Sequence, residues 1–137
     1  MNYKAVPEEV LKEILLLTEA KKKMDLREQA QEKFMPFAHH VYDGFIEGKH
    51  HRIIAEKLEK VARGEIKRLI VNMPPRHSKS EFASFMMPAW FLGRNPKLKI
   101  IQATHNTELA VRFGRKVRDL IADPQYQEIF PDTNLKE

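Results

Sequence analysis

Residues 66–81 constrain this chain more than any other stretch. An apolar, β-branched run from Ile66 to Val71 leads into Met73-Pro74-Pro75-Arg76-His77-Ser78-Lys79-Ser80-Glu81, and a helix-like stretch follows. A strand, a tight loop and a Lys-Ser pair at a helix start have the shape of a phosphate-binding loop. In such a loop the amides and the helix N-terminus face a polyphosphate, the lysine reaches the β and γ phosphates, and the hydroxyl reaches Mg²⁺. Aligning Lys79 and Ser80 on G-x-x-x-x-G-K-[ST] places Met73 at the first glycine and Ser78 at the second. Glycine is favoured there because these loops need φ > 0 or a close backbone approach, and a serine at φ > 0 is uncommon. The competing structural account is a proline-stiffened loop carrying a solvated lysine.

The flanking sequence supports an α/β arrangement. Ile53, Ile54, Leu58 and Val61 recur at helical spacing, so a helix is expected from about His51 to Ala62, closed by Gly64 as a C-cap. After the loop, Phe82, Phe85, Met86, Ala89 and Trp90 define a buried helix from about Lys79 to Leu92, with Pro88 as a kink site. Lys99 to Thr104 reads as a second buried strand. Asn106 or Thr107 then caps a helix from about Glu108 to Ala122, stopped before Pro124. Strand, loop, helix and strand in this order predict a βαβ unit with parallel strands. Ligands of such sheets bind outside the carboxyl ends of the strands, where Met73–Ser78 and Thr104–His105 would lie.

The N-terminal third is predicted to be helical. Pro7-Glu8-Glu9 suits a helix start, and Val10, Ile14 and Leu17 follow at helical spacing with Leu11 and Leu15 beside them. The helix is expected to fray at Lys21-Lys22-Lys23, and a second one, capped by Asp25, to run from Leu26 to Met35 and end at Pro36.

Composition narrows the class. The 137 residues suffice for one modest domain, and the absence of cysteine removes disulfides and thiolate metal sites. The net charge of +5 allows a polyanionic partner, although the lysine run reads first as a solvated helix face. The longest mostly apolar stretch, Phe82 to Leu92, is about half of the ~20 residues a membrane span needs, and charges from Lys4 to Glu13 interrupt any signal-peptide core. His39-His40 and His50-His51 are adjacent pairs whose side chains diverge on a helix or strand, which makes each doublet a poor two-ligand metal set.

The run Gly64 to Glu81 resembles the large terminase subunit of tailed bacteriophages. The resemblance continues through Pro88-Ala89-Trp90-Phe91-Leu92-Gly93-Arg94-Asn95-Pro96, Gln102-Ala103-Thr104, Glu108-Leu109-Ala110, Phe113 to Arg118, and Tyr126 to Pro131. It covers roughly residues 36–137 and implies an ATP-driven motor that packs viral DNA into procapsids. The implied fold is a P-loop NTPase-type parallel sheet with flanking helices, incomplete here and preceded by a helical lead segment over residues 1–35. By this resemblance residues 36–137 are the N-terminal portion of the ATPase domain, without its second acidic motif and without the nuclease domain.

The resemblance also implies cofactors, partners and roles. ATP and Mg are the cofactors. Lys79 neutralises the β and γ phosphates, Ser80 ligates Mg²⁺, and Pro75, Arg76, His77 and Ser78 wrap the phosphates, with Arg76 and Lys79 acting in hydrolysis. His51, with Arg52, falls where related motors place an adenine-contacting motif. Implied partners are double-stranded DNA, the portal protein, the small terminase subunit and further copies in a ring, in the cytoplasm of an infected bacterium. With no apolar strand ending in Asp-Glu, the chain is expected to be catalytically incomplete. A helicase-like P-loop ATPase fragment and a non-catalytic DNA- or protein-binding module are the rival expectations.

Overall fold

A computed structural model describes residues 6–135. Helix α1 spans Glu8–Glu32, α2 Phe34–Val41 and α3 Lys49–Ala62. A π-helical segment, Glu81–Met86, runs directly into α4, Met87–Arg94. Helix α5 covers Thr107–Ala122 and α6 Pro124–Ile129.

The expected parallel sheet is not present: no strand occurs among the described residues. Both candidate strands are irregular backbone, and no backbone hydrogen bond joins one to the other. An extended run becomes a strand only when a neighbour takes its N–H and C=O groups. In the first run Leu69, Val71 and Met73 lean on the core while Ile70 is 85% exposed. In the second, Ile101 is 95% exposed. The apolar, β-branched composition of these runs therefore does not build a βαβ unit here.

Helices pack on helices instead, around an aromatic core. Phe34, Phe37, Phe82, Met86, Trp90, Tyr126 and Ile129 are fully buried. Phe34 sits edge-on to Phe82 at 5.3 Å and to Trp90 at 5.6 Å, and Phe37 edge-on to Tyr126 at 6.1 Å. These spacings are those favoured by ring quadrupoles. Polar atoms at helix ends are satisfied across the core. Trp90 Nε1 donates to Ala30 O, an orphan carbonyl of the last turn of α1, at 2.9 Å. Glu59 Oε1 of α3 accepts from the buried Phe34 N at the start of α2 at 2.9 Å. Tyr126 donates to Ala89 O at 2.9 Å, and burial pushes its hydroxyl pKa up to about 12.

Local sequence explains most helix ends. Gly64 takes φ 77°, with its N–H on Val61 O at 2.9 Å and Glu65 N–H on Lys60 O at 2.9 Å, the paired bonds of a Schellman cap. Asn106 Oδ1 caps α5 by accepting from Leu109 N at 2.8 Å, and Asp123 Oδ1 caps α6 ahead of Pro124. Two expectations fail here. α1 continues through the lysine run and past Asp25 as one helix of 25 residues. Pro36 lies in the first turn of α2 rather than after a helix, where its missing N–H leaves no bond unmade.

Pro88 follows the π-helical segment, a usual place for a bend. It has no N–H for the carbonyl four residues back, Ser84 O, which accepts from Gln102 Nε2 at 2.9 Å. Gly93 has a specific packing reason: a Cβ built there would stand 2.5 Å from the Phe130 ring. Gly93→Ala is expected to destabilise the protein by roughly 1–3 kcal/mol through overpacking, read as a lowered urea midpoint. Gly114→Ala, where an added Cβ meets open space, is the control.

Candidate phosphate-loop site

The loop between the apolar run and the helix is built on two left-handed residues. Arg76 has φ 63° and Ser78 has φ 58°, the only non-glycine residues with positive φ among those described. Ser78 thus adopts the backbone region for which glycine is favoured at that position of a phosphate loop. Helical geometry begins at Lys79 and Ser80, and Ser78 O accepts from Phe82 N at 2.9 Å. Residues 73–81 line an open groove of about 440 Å³.

Pro75, Arg76, His77, Lys79 and Ser80 are exposed, and Ser78 is half-buried. Among the described residues no carboxylate lies within ion-pair distance of Arg76 or Lys79. His77 Nδ1 lies 2.9 Å from Pro75 O, which holds the ring against the loop backbone. The nearest carboxylate along the chain, Glu81, is held by Lys116 of α5 at 3.0 Å. Lys116 also stands 5.2 Å over the Phe85 ring.

The N-terminus of α3 abuts this loop. The His50 ring is 5.6 Å from His77 and 3.9 Å from His51. His51 is 6% exposed and stacks on Phe82 at 5.1 Å. Its Nδ1 accepts from Gly48 N at 2.9 Å, closing the first turn of α3. The structure therefore brings His51 beside the loop but turns its ring inward, as a cap. Arg52 is held by Glu47, which also accepts from His39 at 2.6 Å, and these two bonds hold the Glu47 carboxyl below the usual carboxylate range. Thr104 and His105 lie outside the groove: Thr104 donates to Asn106 O at 2.6 Å, and His105 Nε2 lies 3.2 Å from Asn106 Nδ2. On α5, Arg118 pairs with Asp119, whereas Arg112 and Arg115 stand exposed.

No family model, curated protein or solved structure matches this chain. No helix among the described residues is long and apolar enough to cross a membrane.

Sequence reasoning missed two contributors. The Glu81–Lys116 pair spans 35 positions, and no local pattern marks it. The approach of His50 to His77 joins a helix start to a loop, again with no local signal. Burial of His51 was detectable in part, since it lies three residues after Gly48 at a helix start, where a side-chain acceptor completes a cap.

The capping role has a pH consequence. Burial, helped by the neighbouring His50, holds the His51 imidazole below the usual histidine range. Protonating Nδ1 would also remove the acceptor for Gly48 N. The unfolded chain binds the proton first, so stability is full above about pH 6.5 and falls as pH drops toward the lower folded value. Thermal melts of the protein and of His51→Gln at neutral and mildly acid pH check this: the variant is expected to be less stable at neutral pH and less sensitive to acid.

Proposed function

We propose that this chain is the ATP-binding part of a large terminase subunit, the motor that drives viral DNA into procapsids. Ser78 carries the proposal. It replaces the expected glycine, yet takes positive φ directly before Lys79-Ser80 at the start of a helical run. That backbone supports phosphate binding by loop amides, with Lys79 and Arg76 as exposed cations and the Ser80 hydroxyl as the Mg²⁺ ligand. The phosphate contacts in this proposal come from the loop and the helix start, and no sheet is invoked. Double-stranded DNA, the portal protein, the small subunit, further copies in a ring and the cytoplasm of an infected bacterium belong to the same proposal.

Titration of Mg-ATP into the full chain, followed by thermal stability, tests it. At about 100 times Kd a ligand adds roughly 2.7 kcal/mol, a shift of several degrees for a domain of this size. The shift is expected to saturate and to vanish in Lys79→Ala. Hydrolysis by the chain alone is expected to be negligible: the sequence holds no apolar strand ending in Asp-Glu to supply the metal-binding and water-activating carboxylates, and Glu81 is engaged by Lys116. Turnover that disappears in Lys79→Ala would contradict that second expectation.

One observation favours a second account. Arg112 and Arg115 expose two cations on one side of α5, the surface a non-catalytic DNA-binding module would use. Salt-sensitive DNA binding without any ATP shift would support it.

A further inference from the structure

Helices α1, α2 and α6 meet around a groove that shares no residue with the phosphate loop. Its volume is about 290 Å³, close to the lower end of the roughly 300–1,000 Å³ typical of small-molecule sites. Lys23, Leu26 and Arg27 recur at i, i+3 and i+4 on α1, one turn before the buried Ala30, so this side of the helix faces the body of the protein. Helix α2 supplies His40, and α6 supplies Glu128 and Ile129. Ile129 is fully buried and forms the floor. Met24 and Leu26 are apolar walls that stay exposed, which leaves the groove open to a ligand.

The charges select the occupant. Arg27 Nε donates to Ile129 O at 3.3 Å, which fixes the guanidinium at the groove. Among the described residues neither Arg27 nor Lys23 has a carboxylate within ion-pair distance. Two like charges four residues apart on a helix repel each other, and an anion bound between them removes that repulsion. Glu128, the one acid lining the groove, lies 3.4 Å from His40 Nε2 instead. Lys23 and Arg27 against Glu128 leave one positive charge in surplus when His40 is counted as neutral. A monoanion balances that surplus, whereas a phosphate dianion exceeds it. The apolar floor and walls match a hydrocarbon body. We propose that this groove binds a small apolar monocarboxylic acid, its carboxylate bridging Lys23 and Arg27 and its hydrocarbon part lying on Leu26 and Ile129. The proposal is independent of the nucleotide site.

Calorimetric titration of octanoate, kept below micellar concentrations, into the full chain tests it. Saturable binding is expected. Acetate (the charge without the tail) and octylammonium (the tail with the opposite charge) should each bind more weakly by roughly tenfold or more. Lys23→Glu should weaken octanoate binding by about tenfold or more. Lys23 is exposed and unpaired among the described residues, so the urea midpoint of that variant should match the parent. Glu128→Gln removes the opposing charge and should tighten octanoate binding by roughly two- to fivefold. No saturable octanoate binding by the folded chain would overturn the proposal, as would octylammonium binding as tightly as octanoate. So would a Lys23→Glu chain that binds octanoate as the parent does, because the tail would then lodge on exposed leucines elsewhere. Weaker binding in Glu128→Gln would overturn it as well.

Discussion

Replacing Trp90 with alanine is expected to lower stability by about 3–5 kcal/mol, the largest effect of any single substitution considered for this fold. The side chain is fully buried, lies edge-on to Phe34 at 5.6 Å, and has the Arg94 guanidinium 4.7 Å over its ring. Truncation opens a cavity among α1, α2 and α4 and also strips the Ala30 carbonyl of its donor. Small domains are stable by only about 5–15 kcal/mol, so the variant should approach the edge of folding. Urea unfolding measures the loss. Trp90→Phe separates its two components: the ring fills most of the space but donates no hydrogen bond, so a residual cost of roughly 1–3 kcal/mol reports the orphaned carbonyl. A Trp90→Ala protein as stable as the parent would mean that these helices do not share this core.

Glu59→Ala is expected to cost about 1–3 kcal/mol, set by the unmet Phe34 N–H rather than by the lost charge. Glu59 is 8% exposed and caps α2 from another helix, while Lys33 at 3.6 Å and Arg63 at 3.8 Å balance its second oxygen. Removing the carboxylate leaves a buried donor unmet in the first turn of α2 and Lys33 without its partner, whereas Arg63 keeps Glu65. Glu59→Gln keeps an acceptor of the same length and should lose distinctly less. Equal losses for alanine and glutamine would assign the effect to the ion pairs instead. Melting both variants at low and high salt checks the division, since the ion pairs are screened and the buried bond is not.

The positions that matter in both predictions were not equally visible beforehand. Trp90 and its neighbours stand out in the sequence, because a helix apolar on most sides has to be buried. Glu59 does not. In sequence it is one more charged residue in α3, and only the arrival of α2 above it turns it into a cap. His51 is a related case: its place near a helix start was readable, whereas its inward ring depends on Phe82 arriving from the segment after the loop.

Chain-local chemistry determined several helix ends. Gly64, Asn106, Asp123 and Pro124 act within a few residues of themselves. The tertiary structure decided the rest. Whether Ile66–Val71 and Lys99–Thr104 form a sheet depends on partners for their backbone groups, and no property of either run supplies them. The continuous α1, carried through three lysines, shows the same division. Like charges discourage a helix only weakly at the surface, whereas the packing of Ala30 and its carbonyl against Trp90 fixes the far end in place.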